Sequence, residues 1–167
     1  MKTFKGKQVT LVGSELMVGD IAPNFKVTNN QLEEVSLSDY QNDYIVISVI
    51  PSIDTPVCDL QTKTVNNELL TDRLDLAIIT ISMDLPYAQK RWLNHEELEG
   101  NILLSDYKYR DFGEKYGVLM QENNLLARAL FVLNKKREVI FKLDVEEMGQ
   151  HLDYDLLVNF LNELPGK

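Results

Sequence analysis

The feature that most constrains this chain is the run Tyr44-Ile45-Val46-Ile47-Ser48-Val49-Ile50, β-branched and almost continuously apolar. A surface helix shows one apolar stripe and a half-exposed strand alternates, so neither matches it. A strand buried on both faces inside a parallel sheet does. Leu76-Ala77-Ile78-Ile79-Thr80-Ile81-Ser82 reads as a second such strand, and Asn101-Ile102-Leu103-Leu104 as a shorter third. Helices are expected between them. One runs from Pro56 to about Leu70, with Val57, Leu60, Thr64, Val65 and Leu69 on one face; the next runs from Pro86 to about Glu97.

The rest of the chain completes an α/β pattern. Thr3-Phe4 and Val9-Thr10-Leu11-Val12 flank a Gly6-Lys7 turn, which predicts an N-terminal β-hairpin within residues 1–18. Gly19 to Phe25 is a turn leading into an extended segment. Arg110 to Tyr116 reads as a short helix ended by Gly117. Arg128 to Leu133 and Glu138 to Leu143 form a hairpin across Asn134-Lys135-Lys136-Arg137. Asp153 to Leu164 closes the chain as a helix, with Leu156, Leu157, Phe160, Leu161 and Leu164 at helical spacing. The order predicts a thioredoxin-like fold, a mixed central sheet flanked by helices. With no repeat, low-complexity stretch or linker, residues 1–167 are expected to form a single domain.

Composition narrows the function classes. The chain is 44% hydrophobic and 26% charged, as a globular protein is. Its net charge of -9 argues against a nucleic-acid backbone or an anionic membrane surface as partner. The N-terminus lacks a signal peptide's apolar run, and no stretch nears the ~20 apolar residues that span a bilayer. One cysteine permits no internal disulfide framework, which fits the reducing cytoplasm.

A lone cysteine is most often a small buried hydrophobe. Cys58 is placed differently. Pro51 ends the first buried strand, Ser52 to Thr55 form a polar loop, and Asp54 or Thr55 can cap a helix that Pro56 opens. Cys58 then falls in the first helical turn, beyond the carboxyl end of a sheet strand, where α/β proteins bind ligands. Free N–H groups and the helix dipole there favour a thiolate, the reactive form. Other candidates are weaker. His95 and His151 have no ligand-spaced partner, so neither a metal nor a cofactor is expected. Asp144 to Glu147 reads as a solvated acidic face, Gly113 and Gly117 make no phosphate loop, and C-x-x-C is absent.

The segment Pro51-Ser52-Ile53-Asp54-Thr55-Pro56-Val57-Cys58 resembles the active-site signature of the peroxiredoxin family. Asp59-Leu60-Gln61-Thr62, the stretch from Thr80 to Trp92, Leu103 to Asp106, Phe112 to Val118 and Leu125 to Leu133 are similar to its bacterial thiol peroxidase branch. These matches come in the family's order, from about residue 3 to the last helix.

The resemblance implies a peroxidase that reduces hydrogen peroxide or organic hydroperoxides. Cys58 would be the nucleophile and Thr55 would orient the peroxide. Arg128 would stabilise the thiolate and the leaving oxygen, and Pro51 would shield the pocket from water. An ordinary ion pair is the plainer role for Arg128, but its apolar flanks speak against one. The family pattern also implies a homodimer and a leaning towards alkyl hydroperoxides. Where that branch carries a resolving cysteine, this chain has Leu93. The sulfenic acid on Cys58 would therefore need an external thiol, thioredoxin-like or of low molecular weight. The alternative function is a peroxide sensor or interaction protein that forms mixed disulfides through Cys58 with little turnover.

Overall fold

The computed structural model describes residues 1–69, 75–98 and 100–165. In chain order these form strands β1 (Thr3–Phe4), β2 (Lys7–Gln8), β3 (Leu11–Val12), β4 (Lys26–Thr28), β5 (Glu34–Ser36) and β6 (Tyr44–Val49). Helix α1 (Pro56–Leu69), β7 (Leu76–Ser82), α2 (Pro86–His95), β8 (Ile102–Ser105), α3 (Asp111–Lys115) and β9 (Leu119–Met120) follow. The hairpin strands β10 (Ala129–Leu133) and β11 (Val139–Asp144) and helix α4 (Tyr154–Glu163) end the chain.

The described residues build a seven-stranded sheet in the order β11-β10-β6-β7-β8-β4-β5. Strands β6, β7 and β8 run parallel, and the flanking strands pair antiparallel. That is the mixed sheet the sequence predicts. Ile45, Val46, Ile47, Ser48 and Val49 are wholly buried, which explains why β6 has no polar face. Phe25, Phe112, Tyr116 and Phe131 extend the core as tilted and edge-on rings 4.4–5.6 Å apart. No helix among the described residues is long and apolar enough to cross a membrane.

Several local expectations need correction. The N-terminal hairpin exists, but its second strand is Lys7–Gln8 and its turn is Lys5-Gly6. Both turn residues have positive φ, 50° and 77°, the conformation of a two-residue hairpin loop, so Phe4 faces Lys7. Leu11–Val12 leaves the hairpin and pairs with Leu119–Met120. The hairpin β4–β5 carries too polar a sequence, Lys26 to Ser36, to declare itself by alternation.

The buried face of α1 is also not the apolar one. Leu60 is 47% exposed, whereas Cys58, Gln61, Thr62, Val65 and Asn66 face inward. The polar members of that face are hydrogen-bonded, which makes their burial affordable: Gln61 Nε2 to Ser48 Oγ at 2.8 Å, Thr62 Oγ1 to the Cys58 carbonyl at 2.9 Å, and Asn66 Nδ2 to the Thr62 carbonyl at 2.8 Å. The side chain of Leu69 and all of Leu70 lie outside the described residues. In α4, Asp153 caps the helix by accepting from the Leu156 N–H, and Leu156 itself is exposed while Leu157 and Leu161 are buried.

Beyond β8 the buried Asp106 accepts the N–H groups of Phe112 (3.1 Å) and Gly113 (2.8 Å), fixing the start of α3. Burial pushes its carboxyl up to about 6, against the lowering effect of those two bonds. A folded-state value above the unfolded one means that the native protein binds the proton more tightly between about pH 4 and 6. Stability linked to Asp106 is therefore greatest at low pH and is lost as pH rises through about 6. The shift corresponds to a contribution of roughly 2–3 kcal/mol. Urea unfolding of wild type and Asp106→Asn at pH 5 and pH 7 should show the part lost in that window, the difference between the two proteins changing by roughly 1 kcal/mol. A pH-independent difference would reject the assignment.

Candidate active site

Pro51 follows β6 and is buried, and the chain turns over Ser52 to Thr55 before α1 begins. The Thr55 N–H and hydroxyl both donate to the Ser52 carbonyl, at 3.3 and 3.1 Å. The Asp59 N–H donates to the Thr55 carbonyl at 2.9 Å, so Thr55 occupies the capping position while its hydroxyl points back to the loop. Asp54 is exposed and lies 3.9 Å from Arg91. Cys58 sits one turn on, free and fully buried.

Arg128 reaches Cys58 because of the sheet register. Strand β10 is antiparallel to β6 with Ala129 opposite Val49, so the start of one strand lies beside the end of the other. The Arg128 side chain is buried, and its donors are shared among three acceptors. Nη2 lies 3.2 Å from Cys58 Sγ, Nη1 2.8 Å from Gln61 Oε1, and Nε 2.9 Å from the Met148 carbonyl. Among the described residues no carboxylate forms an ion pair with Arg128. The guanidinium is thus buried against two neutral oxygens and a sulfur. Tyr154, at the start of α4, feels the same groups: burial pushes its hydroxyl up to about 12, with Arg128 pulling down and Cys58 pushing up.

Pro51, Thr55 and Arg128 line one cavity of about 140 Å³, together with the apolar side chains of Phe4, Val57 and Met148. Three of the four predicted residues thus share a cavity, and the fourth, Cys58, touches it through Arg128. The cavity is lined by a threonine, an arginine and a mostly apolar wall.

Three contributors escaped sequence reasoning. Gln61 is a polar residue on a buried helix face, and a search for apolar periodicity assigns such a residue to the surface. Met148 holds Arg128 with its carbonyl, and its sulfur accepts the Arg128 backbone N–H at 3.1 Å. Glu147 corrects the expectation of a merely solvated acidic face. Its carboxylate accepts the Thr3 hydroxyl (2.6 Å) and the N–H groups of Lys5, Gly6 and Gly149 (3.0–3.2 Å). These bonds hold its carboxyl below the usual carboxylate range, the Thr3 hydroxyl contributing most. Glu147 thereby ties the N-terminal hairpin, with Phe4, to the cavity wall.

Leu93 is buried in an apolar cluster with Ile50, Ile53, Cys58, Trp92 and Leu103. Trp92 Nε1 donates to Asp59 Oδ1 at 2.8 Å, and Lys63 bridges Asp59 and Glu96, each at 3.0 Å. These contacts fasten α2 to the first turns of α1. His95 and His151 are exposed, and among the described residues no three metal-capable side chains gather.

Comparison with known proteins gives the family. Residues 18–142 match the AhpC/TSA family model. A thiol peroxidase of Listeria innocua is 50% identical over 157 residues, spanning 93% of this chain and 94% of that protein. A thiol peroxidase of Oceanobacillus iheyensis is 45% identical over 161 residues, 96% of this chain and 98% of its own. The crystal structure of a peroxiredoxin-like protein from Aquifex aeolicus superposes with a TM-score of 0.89 at 40% identity, covering 98% of this chain and 96% of that one. With a family model over most of its length and relatives this similar from end to end, the chain belongs to the AhpC/TSA family of peroxiredoxins, on the thiol peroxidase branch.

Proposed function

We propose that this protein is a thiol-dependent peroxidase in which the Cys58 thiolate attacks the hydroperoxide. The observation that carries this reading is the 3.2 Å approach of Arg128 Nη2 to Cys58 Sγ in the first turn of α1. The sulfur attacks one peroxide oxygen, an S–O bond forms and the O–O bond breaks. The departing alkoxide takes a proton and leaves as alcohol, or as water from hydrogen peroxide. Sulfur loses two electrons and becomes a sulfenic acid. A first external thiol then displaces water to give a mixed disulfide, and a second thiol releases Cys58.

The residues divide this work. The Ser52 carbonyl can only accept, so the Thr55 hydroxyl must donate to it, leaving oxygen lone pairs to receive the peroxide O–H. Arg128 offers fixed positive charge where the leaving oxygen becomes negative. Pro51, buried at the cavity wall, keeps water from the sulfur. The apolar wall suits an alkyl hydroperoxide. The reading extends to one domain of residues 1–167 that works as a homodimer in the cytoplasm.

One equivalent of peroxide should give a sulfenic acid on Cys58 that dimedone traps, and no intrachain crosslink. Excess peroxide with a thiol donor should give steady turnover, whereas a sensor would stop after one event. An oxidised product made only of disulfide-linked dimers would overturn the external-thiol cycle.

A further inference from the structure

We infer that Asp84, at the end of β7, is a positioning residue for the peroxide step, acting on Thr55 through the Ser52 carbonyl. The inference rests on the peroxidase reading above.

Asp84 lies between β7 and α2, in a part of the sequence with no expected role at the site. Its Oδ1 accepts the Ser52 hydroxyl at 2.8 Å, and Oδ2 accepts the Ile53 N–H at 2.8 Å and the Ser82 hydroxyl at 2.7 Å. Both oxygens are thus occupied by donors, two of which belong to the loop that carries Thr55. Asp84 is itself held from behind: Ser82 Oγ accepts its N–H at 3.3 Å, and the Ser105 hydroxyl donates to its carbonyl. Gln89 Nε2 reaches Ser82 Oγ at 3.1 Å and the Leu104 carbonyl at 2.9 Å. Asp84 therefore gathers the segments at the carboxyl ends of β6 and β7 through its carboxylate and that of β8 through its main-chain carbonyl.

Its placement is electrostatically unusual for a structural aspartate. Among the described residues no Lys or Arg forms an ion pair with it, so three neutral donors hold the charge. Charge-assisted bonds of this kind are shorter and stronger than neutral ones. They fix Ser52 and Ile53, and the Ser52 carbonyl receives both the N–H and the hydroxyl of Thr55. A displaced Ser52 would free the Thr55 proton to point into the cavity, where it would compete with the peroxide O–H for the same oxygen. Misplacement of such groups by about 1 Å can cost ~10²-fold in rate.

Asp84→Asn keeps the size but removes the charge, and its amide must either oppose the Ile53 N–H or turn the Ser52 hydroxyl from donor to acceptor, which releases the hold on Ser52. The rate of Cys58 oxidation by hydrogen peroxide should fall about tenfold or more. Alkylation of Cys58 by iodoacetamide, which needs no Thr55, should stay within about twofold of wild type after normalisation to the folded fraction. In a Thr55→Val background, Asp84→Asn should cost little further, because the two changes remove one function. Ser52→Ala, which deletes a single donor, should show the same selective loss to a smaller extent and serves if Asp84→Asn does not fold. An unchanged peroxide rate would overturn the inference, as would equal loss of both reactions, or full additivity with Thr55→Val. Failure of wild type to react with peroxide would instead sink the peroxidase reading, so the two failures are separable.

Discussion

Replacing Arg128 by Met should slow peroxide attack by Cys58 by a factor of about 10²–10³, the cost typical of losing one fixed donor to a developing negative charge. The methionine side chain follows the apolar stem of the arginine and ends near the place of Nε, so it supplies no cation 3.2 Å from the sulfur. The same change leaves Gln61 Oε1 and the Met148 carbonyl without Arg128. Each buried acceptor left unpaired costs about 1–3 kcal/mol, so urea unfolding should show a loss of that order. Stability and rate must therefore be read together. Stopped-flow oxidation under conditions where the variant is fully folded isolates the catalytic part. Arg128→Lys should recover little of it, since a point charge cannot serve three acceptors spread over α1 and the Met148 loop. A folded Arg128→Met protein that reacts within threefold of wild type would remove Arg128 from the mechanism.

The reason for this expectation lies in what the sheet does to sequence distance. Arg128 and Cys58 are 70 residues apart. Nothing local to Leu125-Leu126-Ala127-Arg128 names its partner; only the family pattern does. By contrast, the β6 strand and the Pro56 start of α1 are legible from residues 44–58 alone, because burial on two faces and proline at a helix start are local effects. The same locality explains the failures. Apolar periodicity turned α1 the wrong way because this helix buries Gln61, Thr62 and Asn66, each held by a bond whose partner lies in the folded structure and not in the spacing. Asp84 and Glu147 escaped for the same reason: an acidic residue reads as solvated until its donors are known. The candidate residues Pro51, Thr55, Cys58 and Arg128 lie just beyond strand ends or at the start of α1, and it is a motif that singles them out. The groups that hold them in place needed coordinates.

Leu93→Cys should convert the protein to a two-cysteine cycle. The family resemblance puts the resolving cysteine at this position, and the structure gives the substitution a physical setting. Leu93 and Cys58 belong to one apolar cluster, and Trp92 binds Asp59, each of these residues being the chain neighbour of one member of the pair. A disulfide requires Cα atoms within about 7 Å, so oxidation must draw α1 and α2 together or unwind the first turn of α1. That turn has few internal hydrogen bonds to lose. The opposing force is the clasp itself, the Trp92–Asp59 bond and the Lys63 bridges. Removing the leucine side chain from the cluster also loosens the packing, at a cost of about 1–3 kcal/mol. One equivalent of peroxide should then consume both thiols, leave a monomer on a non-reducing gel and allow reduction by thioredoxin. Trp92 is the only tryptophan and sits beside the new thiol, so its fluorescence should change on oxidation and return on reduction. Two thiols still titrating after peroxide, or crosslinks only between chains, would make the alignment of Leu93 with a resolving position untenable. The role of Cys58 would stand even then, because it depends on the Pro51-Thr55-Cys58 spacing and on the contact with Arg128, neither of which involves residue 93.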